Sequence, residues 1–201
     1  ANNNPSALAW SASVPGVATR KVYTFDGSSG QQFPTSTQIA TLTRTGGPVD
    51  YPVTGSANAS YLKGDASNEE RNGGLLRNRT SVLGDIVGSS PAYVDDTATL
   101  YVGANDGMLH AFDATNGQEL FAYVPSIINM ANLRDLSRGD YTHKFFVDGP
   151  VVVTSRKLTP GKSLMVGALG KGGRGLFGLE VSSPASFAGR RVKWELAQTP
   201  A

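Results

Sequence analysis

The 201-residue sequence has no cysteine, only two histidines and two tryptophans, and 17% charged residues. Without cysteine it can hold neither a disulfide framework, nor a thiolate metal site, nor a cysteine nucleophile. No run approaches the roughly 18 consecutive apolar residues of a membrane span. The opening "ANNNPSALAW" has neither an initiator Met nor the apolar stretch of a signal peptide, so the chain is expected to be soluble and cut from something longer. A net charge of +2, dispersed along the sequence, lacks the basic footprint of a nucleic-acid binder.

Turn chemistry, in contrast, is abundant. The 24 glycines and 11 prolines separate short runs such as "KVYTF", "TLYV" and "VVVT", a composition of many short strands rather than long helices. The fold class expected is all-β. Leu100, Val102 and Ala104 alternate with Tyr101 and Gly103; after "NDG", Met108, His110 and Phe112 alternate with Leu109 and Ala111. Asn105, Asp106 and Gly107 best tolerate positive φ, so the two runs should form a hairpin about a tight structural turn. A second turn, Asp113 to Gly117, leads into "QELFAYV". Strands are expected near Lys21 to Phe25, Ala92 to Val94, Leu100 to Ala104, Met108 to Asp113, Glu119 to Val124, Val151 to Ser155, Ser163 to Ala168 and Leu176 to Val181.

Three segments share one phrase: Val22 to Phe33, Leu109 to Leu120 and Leu176 to Phe187 each carry an alternating strand, an acidic residue, a small polar turn and an apolar return. "YVGANDG" and "MVGALGKGG" extend the match upstream of two copies. Imperfect strand-turn-strand repeats read as propeller blades, small sheets that need neighbours to cover their faces. Residues 1–201 are therefore expected to form one partial β-propeller of antiparallel blades with two insertions. Residues 34–76, polar and rich in turn formers, read as a long surface excursion. Residues 125–140 place Ile127, Ile128, Met130, Leu133 and Leu136 near helical spacing after Pro125, and read as a short helix capping a blade edge.

Candidate chemistry is thin. A calcium loop needs alternating oxygen ligands and a distal Glu, which neither "NDGML" nor "VDDTAT" supplies, so both read as turns. Asp26, Asp113 and Glu180 occupy one place in the repeat, where a carboxylate accepts backbone N–H groups of the following turn. "GKGGRG", Gly170 to Gly175, lacks the Gly-Lys-Ser/Thr ending of a phosphate loop and runs into a strand; it reads as a hairpin turn. His110 and His143 have no cysteine or close carboxylate partner in the sequence, which argues against metal ligation. No catalytic, cofactor-binding or metal-ligating residue is assigned. Arg138-Gly139-Asp140 and Lys63-Gly64-Asp65 resemble integrin-binding tripeptides and fall in expected loops, where adhesion could use them. Asn58 and Asn78 head glycosylation triplets, a signal with meaning only in a eukaryotic source.

Taken in order, "YLKGD", "RNRTSVLGDIVGSSPAYV", "LYVGANDGMLHAFDATNGQELFAYVPS", "YTHKFFVDGP" and "LMVGALGKGGRGLFGLEVSSP" resemble the C-terminal propeller of PilY-type proteins, over about Arg20 to Trp194. The resemblance implies a modified quinoprotein-like propeller, of which this chain holds the opening blades, in a noncatalytic type IV pilus assembly factor and tip-associated adhesin. It implies minor pilins or other pilus components as partners, with host surface receptors and the remaining blades of the parent chain beside them. It also implies export through the periplasm to the bacterial surface, at the pilus tip or outer membrane. The family's calcium loop is expected beyond "VKWELAQTPA" and has no counterpart here, so no cofactor is expected within these residues. The alternative class is a pyrroloquinoline-quinone dehydrogenase, whose propellers carry a similar A-x-D-x-x-x-G-x-x-x-W docking motif. Ala111 to Phe121 matches it except that Phe121 replaces the tryptophan. That motif packs blades together and speaks to fold, not redox chemistry.

Overall fold

The computed structural model describes residues 10–198, among which lie ten strands and three short α-helices. Four strands in chain order, β3 (Ala92–Val94), β4 (Thr99–Gly103), β5 (Leu109–Asp113) and β6 (Glu119–Val124), form an antiparallel meander. The hairpin of β1 (Val22–Phe25) and β2 (Gly30–Gln32) extends that meander beyond β6. Here β1 runs parallel to β6, with Val22 opposite Ala122 and Thr24 opposite Val124. The first sheet thus has six strands in the order β2-β1-β6-β5-β4-β3. The second is a four-stranded antiparallel meander of β7 (Val151–Val153), β8 (Leu164–Ala168), β9 (Gly175–Glu180) and β10 (Val192–Ala197).

The first copy of the repeated phrase, Val22 to Phe33, is therefore not a blade of its own. A lone two-stranded hairpin is marginal in water, and this one gains its third strand from β6. Two strands lie outside the expected set. β2 is the polar "GQQ", without an apolar alternation, and the alternation of β10 is broken by a bulge between Val192 and Trp194.

The core sits between the sheets. Tyr101, Ala111 and Phe121 line one cross-strand row of the first sheet, and Leu109, Tyr123 and Tyr23 the next. All six are buried. Phe187, from the connection after β9, stacks on Phe121 with ring centroids 3.8 Å apart and meets Tyr23 edge-on at 5.3 Å. Tyr123 lies 5.5 Å from Phe177 and donates its hydroxyl to Glu195 of β10 at 2.5 Å. Aromatic rings of this size stabilise such a seam by about 1.5–3 kcal/mol each through burial.

Residues 34–76 are not a surface excursion. They fold into α1 (Ser36–Leu42) and α2 (Gly55–Leu62), capped by Thr35 and Thr54, and they bury Leu42, Ala59, Tyr61, Leu62 and Leu76. Thr35 and Gln38 form a reciprocal capping box. Helices this short carry too few apolar positions to register as periodic in a polar stretch. Asn58 is wholly buried and donates to the carbonyls of Leu42 and Arg134, which removes it as a modification site. In residues 125–140 the chain forms α3 (Met130–Arg134) and a 3-10 turn over Asp135–Ser137, with Leu133 fully buried.

Candidate functional site

The turn joining β4 to β5 is held from several directions. The Ala104 N–H donates to the Met108 carbonyl at 2.9 Å, and Gly107 takes φ of 93°. A Cβ on Gly107 would also fall 2.6 Å from Leu133 Cδ1, so both backbone and packing require glycine. Asn105 donates through Nδ2 to Asp85 at 3.0 Å and accepts the Phe146 N–H at 3.1 Å. Asp106 points inward, only 5% exposed, and accepts N–H bonds from Met108 at 3.1 Å and Gly84 at 3.2 Å.

Beneath this turn lies a buried row of charges. His110 Nε2 lies 3.1 Å from Asp106 Oδ2, and His110 Nδ1 lies 2.7 Å from Glu119 Oε1. Arg20 closes the row, donating to both oxygens of Glu119 at 2.6 and 2.8 Å. Burial by itself would lower the His110 pKa. The charge of Asp106 and the hydrogen bonds of both carboxylates outweigh it and raise the pKa to about 9, so the ring is an imidazolium at neutral pH. Burial likewise pushes Asp106 and Glu119 up, and their hydrogen bonds and charge pairing with His110 and Arg20 bring both below the usual carboxylate range. The expectation that His110 has no close carboxylate partner is thus corrected: its partners come from the preceding turn and the next strand. Arg20 Nη1 is buried without a hydrogen-bond partner among the described residues.

The repeated acidic position does two different jobs. Asp26 accepts the N–H groups of Ser28 and Ser29 at 2.9 and 2.8 Å, and Asp113 accepts that of Thr115 at 2.8 Å. The N–H groups of Ser29 and Ser28 hold the Asp26 pKa low, and the hydroxyl and N–H of Thr115 do the same for Asp113. Gly117, with φ of 78°, donates its N–H to the Asp113 carbonyl at 2.7 Å. Glu180 departs from the expected pattern. It pairs with Arg191 and, at 2.9 Å, with Lys193, because the chain after β9 returns as a basic segment rather than a tight amide-rich turn. The Gly170 to Gly175 segment joins β8 to β9 through a 3-10 turn, with Gly170 at φ 59°.

Asp113 and Gly117 lie at the far end of β5 from Asn105, Asp106 and Gly107. Asn105 and Asp106 face a cavity of about 380 Å³ whose lining includes Arg77, Arg79, Asp85, Tyr141 and His143. His143 Nε2 lies 2.9 Å from Asp85 Oδ2. Neither tripeptide contributes to that lining; Arg138 and Asp140 line a separate cavity of about 200 Å³. Arg138 and Asp140 pair bidentately with each other at 2.7 and 2.8 Å, and the Arg138 guanidinium lies 5.3 Å from the Tyr51 ring centroid, against which Gly139 also packs. In the other tripeptide, Lys63 caps α2, Gly64 takes φ of 113°, and Asp65 accepts the Ser67 N–H at 2.9 Å. Arg79, held by Glu69 at 2.8 Å and stacked on Tyr61, donates to the Asp65 carbonyl at 2.8 Å. Arg20, Glu119, Arg79 and Glu69 are the residues that sequence reasoning missed. Only Glu119 lies in a strand, where a charge opening the apolar run "ELFAYV" was the available signal; Arg20, Arg79 and Glu69 lie outside the strands. Among the described residues no group of three or more His, Asp or Glu side chains is arranged to hold a metal ion. The arrangement fixes loops and neutralises buried charge.

Two packed antiparallel meanders, each sheet covering its neighbour, define the chain as a β-propeller structure. It matches the PilY1 beta-propeller domain over residues 83–198, more than half its length, and belongs to that family. It is 37% identical over 165 residues to a type IV pilus biogenesis factor PilY1 homolog of Xylella fastidiosa, an alignment covering 68% of this chain and 13% of that protein. It is 36% identical over 173 residues to the type IV pilus biogenesis factor PilY1 of Pseudomonas aeruginosa, covering 71% of this chain and 14% of that protein. The chain therefore spans about one-seventh of the length of these relatives. No solved structure matches it.

Proposed function

We propose that this region serves as a noncatalytic scaffold in type IV pilus biogenesis, exported through the periplasm to the bacterial surface and acting at the pilus tip or outer membrane. The observation that carries the reading is membership of the PilY1 β-propeller family over residues 83–198, the span that builds β3 to β10. Its partners in this reading are minor pilins or other pilus assembly components, and the remaining blades of the parent chain. The buried charges support scaffolding over catalysis, since Arg20 and His110 are spent on Glu119 and Asp106. The quinone-dehydrogenase alternative gains no support from the Ala111 to Phe121 motif, because Phe121 is occupied in packing against Phe187. No cofactor is assigned here; the family's calcium loop belongs farther along the parent chain.

Adhesion to host receptors is part of the proposal, with Arg138-Gly139-Asp140 and Lys63-Gly64-Asp65 as its contact points. Engagement of the first requires its internal Arg138–Asp140 pair to open. Deleting the parent gene should reduce surface piliation, twitching and attachment, and re-expression of the full-length chain should restore them. Unchanged piliation, twitching and attachment in the deletion strain would overturn the reading.

A further inference from the structure

We infer a separate binding site for a neutral saccharide in the cleft between the β1–β2 hairpin and α1. The cleft has a volume of about 860 Å³, within the range of about 300–1,000 Å³ typical of ligand sites. Gln31 and Gln32 of the hairpin form one wall, and Ser36, Thr37 and Thr41 of α1 form the other.

Among the described residues the lining has no cation and a single carboxylate, Asp26. That carboxylate is committed to the N–H groups of Ser28 and Ser29 and to the Gln31 amide. Neither an anion nor a metal ion would find its counter-charge. The first turn of α1 offers no anion site either, because the Thr35–Gln38 capping box already satisfies it. What the walls present are exposed amides and hydroxyls, at Gln32, Ser36 and Thr37. Such groups both donate and accept, as the hydroxyls of a sugar demand. Phe25, Pro34 and Met130 add apolar patches suited to the C–H face of a pyranose ring. A wholly apolar ligand would leave the amides and hydroxyls without partners. The walls are fixed before binding: β1 is paired with β6, and Gln38 of α1 donates to Thr24 of β1 at 2.8 Å. This reduces the ordering cost of binding.

The inference stands apart from the pilus reading, since it concerns only what this cleft holds. The test uses the full-length parent chain, titrated with maltose, lactose, cellobiose and diacetylchitobiose, with sialylated lactose and inorganic phosphate as charged comparators. Saturation-transfer NMR and calorimetry read binding. At least one neutral disaccharide should bind, and Gln32→Ala combined with Thr37→Ala should weaken it about tenfold or more, as expected when two hydrogen bonds are lost. Thr37→Ser, which keeps the hydroxyl, should retain binding, and unchanged far-UV spectra should show that each variant is folded. Absence of binding by all four disaccharides, binding indifferent to the double substitution, or preference for either charged comparator would overturn the inference.

Discussion

The two sheets bury themselves to different degrees. The first is covered on both faces: the second sheet lies on one, while Arg20 and α1 reach across the other to Glu119 and Thr24. The second is covered on one face only, and its opposite face presents Val152, Val166, Trp194 and Leu196 at 65%, 39%, 40% and 62% exposure. The chemistry follows the coverage. Among the described residues only the first sheet buries a row of four charged side chains, because only there do neighbours on every side hold each partner in place. On the second sheet Glu180 is itself buried, but its partners Arg191 and Lys193 keep 26% and 41% of their side chains exposed.

The largest expected effect tests the buried row. Glu119→Ala leaves Arg20 and His110 without their shared partner and should cost about 3–5 kcal/mol in urea unfolding. A loss below about 1 kcal/mol would mean that the charges are not sealed from water as the structure places them. Phe187→Ala, which empties the seam between the sheets, should cost about 3–4 kcal/mol by the same measurement, with a loss of near-ultraviolet signal from the packed aromatic rings.

A pH series separates the sheets next. The folded-state pKa of His110, about 9, lies above its ordinary value of 6.5, so its contribution is complete below pH 6.5 and disappears as pH rises through 9. The loss should be on the order of 3 kcal/mol across that window, and His110→Gln should flatten it. Asp106 and Glu119 act in the opposite sense: their lowered pKa values stabilise at neutral pH, and that gain is lost in acid. The smallest effect is expected on the bare face of the second sheet, where Leu196→Lys should change stability by less than about 0.5 kcal/mol. A cost well above that would show that this face is covered in the folded chain.

The strands of both meanders except β10 were legible because their apolar residues alternate and their turns carry Asn, Asp and Gly, as Thr99 to Val124 illustrates. The β1–β6 pairing was not, since nothing in "VYTF" states which distant strand it joins. Nor were the helices in residues 34–76, where Leu42, Tyr61 and Leu62 are scattered among polar neighbours and stabilised by tertiary contacts. At the candidate site, the turn at Gly107 could be read from residue type. The link from Asp106 through His110 and Glu119 to Arg20 could not, because it runs across strands and between residues far apart in sequence. The same limit hid the different task of Glu180: its place in the repeat is shared with Asp26 and Asp113, but its partners depend on what the chain does after β9.

The parallel pairing of β1 with β6 also sets a schedule. Parallel neighbours need a long crossover, and here everything between Phe25 and Glu119, with two α-helices and four further strands, serves as that connection. Val22 leaves the ribosome one hundred residues before its partner Ala122, a wait of roughly 5–20 s at synthesis rates of about 5–20 residues per second. Throughout that interval a strand whose Val22, Tyr23 and Phe25 end up buried has its short hairpin partner and α1 for cover, but not β6. The first sheet is therefore begun by its earliest strands and finished only when its middle strands arrive, which makes the newborn hairpin the segment most exposed to wrong pairing during synthesis.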